Sequence, residues 1–176
     1  MTPDPGHAVP AQIRALGKVH HIALVVADVE RSLGFWRDTL GLPVELVLPI
    51  EHDRVTIAFL PVGESKLELV HPTDDSTGVA RFLAGKGEGF HHVCFEVADL
   101  AATLTRLGLD GIELIDTAPR RGAEGPVAFL HPRSCHGVLV ELIEAPERPP
   151  TMSRTPANRS LNRFAPMIAS PVTMPR

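Results

Sequence analysis

Eleven residues in the middle of the chain, Phe90–Leu100 (FHHVCFEVADL), have a near copy 71 positions earlier, Val19–Val29 (VHHIALVVADV). His20/His91, His21/His92, Val26/Val97, Ala27/Ala98 and Asp28/Asp99 coincide when the two are overlaid. Self-similarity at a fixed offset means a fold built from repeated units. With two copies, that is a duplicated module and not a solenoid. Each copy reads as a short apolar strand that opens on a His-His pair and runs into an Asp at a helix N-cap.

The repetition continues at the far end of each unit. Leu67-Glu68-Leu69-Val70 and Val140-Glu141-Leu142-Ile143 each set one carboxylate among apolar strand residues, 73 positions apart (141 − 68). A short loop insertion in the second unit accounts for the two-residue difference. Each unit therefore begins with a histidine pair and ends with a glutamate.

Strand alternation sorts the histidines, because successive side chains face opposite ways. His20 shares a face with Ile22, Leu24 and Val26, and His91 with Val93, Phe95 and Val97. Those bulky faces suit packing against the helices. His21 goes with Ala23 and Val25, and His92 with Cys94 and Glu96, a smaller and more polar lining. His21 and His92 are thus the better ligand candidates. A carboxylate buried in Val-Leu-Val-x-Leu-Ile company needs a cation, a metal or a proton. Two imidazoles and two carboxylates from two similar halves make a closed set for one divalent ion.

The first helix should start at Asp28 and carry the stripe Val29, Leu33, Trp36 and Leu40, to be stopped by Gly41 and Pro43. Strands are expected over Val44–Leu48, Val55–Leu60 and Lys66–Val70, giving βαβββ. Ser76 is expected to cap a short bridging helix through Leu83. The second module should repeat the order, with strands over Phe90–Val97, Gly111–Ile115, Val127–Leu130 and Val138–Ile143. The loop Thr117–Pro126 is long for a hairpin, and such loops often carry function. In domain terms, an arm (1–17) precedes one domain (18–146) of two modules, 19–72 and 90–146, joined by a bridge (73–89). Residues 147–176 hold five arginines, six prolines and one acidic residue without apolar periodicity, which reads as an irregular tail.

A chain of 176 residues, 44% hydrophobic, can bury a substantial core, and its net charge of −4 offers no basic stripe for nucleic acid. Cys94 and Cys135 build no disulfide framework and fit a reducing compartment. No apolar run is long enough to span a membrane, and the start lacks a signal-peptide core, so a cytoplasmic protein is expected.

These residues resemble the vicinal-oxygen-chelate (glyoxalase-like) superfamily and, within it, the methylmalonyl-CoA epimerases. HHIALVVADVERSLGFWRDTLGL, VTIAFLPVGESKLELVHP, STGVARFL, GEGFHHVCFEV and GAEGPVAFLHPRSCHGVLVEL carry the likeness. It covers about residues 19–146. The resemblance implies an α+β fold of paired βαβββ modules forming a curved mixed sheet around a metal site. It implies His21, Glu68, His92 and Glu141 as ligands of one divalent ion (cobalt, zinc, manganese, nickel or iron), the set that the repeat itself singles out. It further implies 1,1-proton transfer alpha to an acyl-CoA thioester through a stabilised enolate, Glu141 as a catalytic base, and a homodimer. Some relatives place a second base, a glutamate, on the third strand of the first module, where this chain has Thr56. A glyoxalase I-type lyase and a non-catalytic binding protein are the alternatives on the same fold.

Overall fold

The computed structural model describes residues 16–146; the tail 147–176 and all but the last two residues of the arm lie outside them. Eight strands form one sheet: β1 (Val19–Val25), β2 (Leu46–Ile50), β3 (Val55–Val62), β4 (Ser65–Pro72), β5 (Gly89–Val97), β6 (Arg120–Arg121), β7 (Pro126–Leu130) and β8 (Leu139–Glu144). Three α-helices connect them: α1 (Val29–Leu33), α2 (Gly78–Lys86) and α3 (Leu100–Leu109). The sheet order is β2-β3-β4-β1-β5-β8-β7-β6, two modules joined by their first strands. β1 and β5 pair antiparallel, and each runs parallel to its own module's last strand, β4 or β8. The mixed sheet curls into a half-barrel.

Helices α1 and α3 cover the convex side, while α2 borders the concave cavity through Gly78, Val79 and Phe82. Asp28 and Asp99 cap α1 and α3 as the repeat requires, each carboxylate accepting a backbone N–H three residues on, at 2.8 Å. Val29 and Leu33 of α1 pack on Val26, Ala58, Leu60 and Leu69, and Leu100 and Leu104 of α3 on Val97, Ala128 and Leu142. A separate cluster of Ile50, Val55, Ile57, Phe59 and Val70 faces the concave side.

The departures from the expected elements have local causes. After Leu33 the first helix widens into a π-helical turn over Gly34–Thr39, where Leu40 N–H donates to Phe35 O at 3.0 Å. The extra residue rotates the stripe, so Leu40 is 53% exposed and Leu42 packs in its place. Thr77, not Ser76, caps α2, because Ser76 is engaged by the Asp74 carboxylate. Gly111–Ile115 does not form a strand and keeps one bridge, Leu114 to Leu130. Ile115 and Asp116 N–H both donate to Phe129 O, and the Asp116 carboxylate accepts Phe129 N–H at 2.9 Å, so the ladder ends there. The paired edge strand is instead the dipeptide Arg120–Arg121, inside the expected loop.

Candidate metal centre

Cross-strand register brings the repeated residues together on the four central strands. Along one row, Glu68 of β4 pairs with Ala23 of β1, which pairs with His92 of β5. Along the next, His21 of β1 pairs with Cys94 of β5, which pairs with Glu141 of β8. Each glutamate thus faces the other module's histidine across one small side chain. Ala23 and Cys94 are fully buried, and their size leaves room for the larger side chains to converge above them.

All four expected residues meet. Glu141 Oε2 lies 3.0 Å from His21 Nε2 and 3.1 Å from His92 Nε2. Glu68 Oε2 lies 3.4 and 3.6 Å from the same two nitrogens, which are 3.1 Å apart. An ion about 2.0–2.2 Å from each donor would space tetrahedral ligands roughly 3.3–3.6 Å apart. His21, His92 and Glu141 lie close enough together to fit a first-row divalent ion, and Glu68 approaches both histidines from outside that tight group. All four residues are at least nine-tenths buried.

The two carboxylates differ electrostatically. Burial pushes Glu68 up, and the nearby histidines only partly offset it. Burial acts on Glu141 in the same direction, but hydrogen bonds from His21 and His92 outweigh it and hold Glu141 well below the usual carboxylate range. His21 is raised in turn, since the Glu141 hydrogen bond and the Glu68 charge overcome its own burial. Cys94, buried beside Glu141, is pushed far up and stays a thiol.

His20 and His91 do not follow the alternation expected of them. They line the concave cavity instead of packing under the helices. The register shows why. Between Val19 and His21 the partner strand advances only from Phe95 to Cys94, so His20 is the extra residue of a β-bulge. Between Ala23 and Leu24 the partner advances from His92 to Phe90, making His91 the extra residue of a second bulge. Beyond the bulges alternation resumes, and Ile22 points outward, 42% exposed. Burial lowers His20, and lowers His91 to about 4, the adjacent ligand-candidate ring adding to the effect in each case.

A cavity of about 460 Å³ opens above the cluster. Its walls include Ile50, Val55, Ile57 and Phe59 from the first module and Val127, Phe129 and Ile143 from the second. Thr56, at the position where some relatives place a glutamate base, is absent from this lining: Val55, Ile57 and Phe59 are the cavity-facing residues of β3. Phe59 and Phe129 are a further repeated pair, marked in the sequence by Ala-Phe-Leu at 58–60 and again at 128–130. Phe59 packs on His21 with ring centroids 5.5 Å apart, and Phe129 on His92 at 5.2 Å. A cation covers each, Lys66 over Phe59 and Arg120 over Phe129, both 5.2 Å from the ring centre. The 117–126 segment closes one side of the cavity. It reaches the first module through Arg120–Asp53 at 3.1 Å, His52–Arg121 O at 3.1 Å and the Lys66–Glu124 ion pair.

Residues 20–130 match the glyoxalase/bleomycin resistance protein/dioxygenase superfamily. Mitochondrial methylmalonyl-CoA epimerase of Mus musculus is 38% identical over 146 residues, 82% of each chain. The ethylmalonyl-CoA/methylmalonyl-CoA epimerase of Cereibacter sphaeroides is 37% identical over 130 residues, 72% of this chain and 97% of that one. Among solved structures, a methylmalonyl-CoA epimerase in complex with methylmalonyl-CoA and NH4+ superposes with a TM-score of 0.71 at 35% identity, over 74% of this chain and 96% of that one.

Proposed function

The chain belongs to the glyoxalase/bleomycin resistance protein/dioxygenase superfamily, and from that premise we propose that it is a metal-dependent epimerase of methylmalonyl-CoA or a similarly 2-substituted acyl-CoA thioester. The relatives' activity supports the reaction class, and the His21, Glu68, His92, Glu141 cluster supports the metal. Two imidazoles and two carboxylates accept cobalt, zinc, manganese, nickel or iron. Such an ion, when bound, supplies a Lewis acid for negative charge developing on substrate oxygen.

The rest of the reaction falls to the chain. Glu141 is held ionised and is the base that takes the proton alpha to the thioester. Inverting the centre requires a proton carrier on the other face. β3 offers only Val55, Ile57 and Phe59 to the cavity, while Asp53 is engaged by Arg120 and Glu124 by Lys66. Glu68 stands across the histidines from Glu141, on the opposite outer strand of the central four, and as an ionised ligand it can carry that proton on its free oxygen. The apolar walls keep bulk water from the carbanion-like carbon between removal and return.

The observation that carries this reading is that Oε2 of a glutamate from each module reaches both Nε2 atoms. Deuterium incorporation from solvent into each methylmalonyl-CoA enantiomer, with metal content measured alongside, tests it. Fully metallated Glu141→Gln should stop exchange from one enantiomer and Glu68→Gln from the other. Wild-type exchange of both enantiomers by Glu141→Gln would show that Glu141 is not the base.

A further inference from the structure

The four-residue cluster leaves two cavity-wall rings, His20 and His91, without a role. Each is the extra residue of a β-bulge, and without the bulges alternation would turn both toward the convex face with Ile22. In each pair the two Nδ1 atoms lie 2.9 Å apart. A nitrogen–nitrogen contact that short needs an N–H on one ring and a lone pair on the other. His21 and His92 turn Nε2 toward the cluster centre, within 3.1 Å of Glu141. A neutral imidazole that offers Nε2 to an ion carries its hydrogen on Nδ1. His21 and His92 are then the donors, and His20 and His91 accept at Nδ1 and carry their own hydrogen on Nε2.

Building on the reading of the cluster as a metal site, we propose that His20 and His91 are positioning residues, each fixing the tautomer and ring plane of the ligand histidine that follows it. The surroundings hold both rings in place. His20 Nε2 lies 3.6 Å from Glu124 Oε2, which aims its hydrogen outward and its lone pair at His21. His91 stands edge-on to Phe82, ring centroids 5.1 Å apart. Partners of this kind, one bond behind the ligands, commonly change metal affinity without touching the ion. The His-His dipeptide is repeated because both of its members are used.

The test is a Co²⁺ titration of the metal-stripped full-length protein, followed by visible absorption with a competing chelator. His20→Phe and His91→Phe fill the space without an acceptor, and each should weaken Co²⁺ binding by roughly 10- to 100-fold. His20→Gln and His91→Gln offer a carbonyl to the same N–H and should stay within a few-fold of the wild type. Wild-type affinity in both Phe variants, beside loss of binding in His21→Ala, overturns the positioning role and leaves the metal site standing. Equal binding by wild type and His21→Ala takes down both. Should the Phe variants fail to fold, ring ¹⁵N–¹H correlations of the Zn²⁺-loaded wild type decide. Nδ1–H on His21 and His92 with Nε2–H on His20 and His91 is expected, and the reverse tautomers overturn the proposal.

Discussion

The two modules share a plan and differ in chemistry. Each supplies a bulged histidine pair, a capped helix, a cation over a phenylalanine and a terminal-strand glutamate. Yet Glu141 Oε2 sits 3.0–3.1 Å from both ligand-candidate nitrogens and Glu68 Oε2 sits 3.4–3.6 Å away. The tighter contacts keep Glu141 ionised, whereas burial dominates at Glu68. Outside the cluster, His20 meets a carboxylate and His91 an aromatic ring. Duplication set where the groups stand, and small differences around them made two equivalent carboxylates unequal.

The largest expected effects come from breaking the symmetry at the ligands. His21→Ala and His92→Ala should each lose metal, read as stoichiometry after dialysis. If either retains a full equivalent, the closed four-donor set is wrong. Next come the carboxylates. In metal-loaded protein, Glu141→Gln and Glu68→Gln should each lower epimerisation by about 10²- to 10⁴-fold, with opposite enantiomers losing deuterium exchange. Loss of the same enantiomer's exchange in both variants would mean the halves are not the two proton carriers. Thr56→Ala, outside the cavity lining, should leave both exchanges unchanged.

Why so much of the site was legible is a matter of spacing. The histidine pair, the Asp cap and the buried glutamate recur in sequence, and strand pairing turns the recurrence into two adjacent rows. What escaped depended on breaks in regularity. Alternation assigns His20 to the convex face, and only the pairing between β1 and β5 reveals the extra residue that turns it inward. The π-helical turn that exposes Leu40 leaves no mark in a 3.6-residue stripe. Gly111–Ile115 has strand-like residues, but the Asp116 side chain takes the N–H that a neighbouring strand would have used. The repeated Ala-Phe-Leu could have been found, and it marks the two rings that pack on the ligand histidines.

An effect of intermediate size should appear in the metal-free protein on acidification. His91 has its pKa lowered to about 4 from 6.5 by burial and by the neighbouring His92. The unfolded chain therefore binds a proton between pH 6.5 and 4 that the native state refuses. Its stabilising effect is complete above about pH 6.5 and is lost as pH falls toward 4, by roughly 3 kcal/mol at most. His20 is shifted in the same direction, with Glu124 opposing, so its share should be smaller. Urea denaturation of EDTA-treated protein across this range, compared with His91→Phe, measures the difference. A variant curve as steep as the wild type's would locate the acid sensitivity elsewhere.

The smallest effect belongs to the contacts that tie the 117–126 segment of the second module to the first. Arg120 reaches Asp53 at 3.1 Å, but about a third of each side chain is in water, and Arg120 also holds Asp116 at 3.3 Å and covers Phe129. Losing one of three attachments at such exposure should cost under about 1 kcal/mol, and less in high salt. Asp53→Asn should accordingly shift the unfolding midpoint slightly, and 1 M NaCl should narrow its gap to wild type. Because Asp53 and Arg120 both line the cavity, the same change should appear more clearly as a rise in KM than as a fall in kcat. A large loss of kcat with KM unchanged would mean that this cross-module clasp takes part in the chemistry and does not merely hold the wall in place.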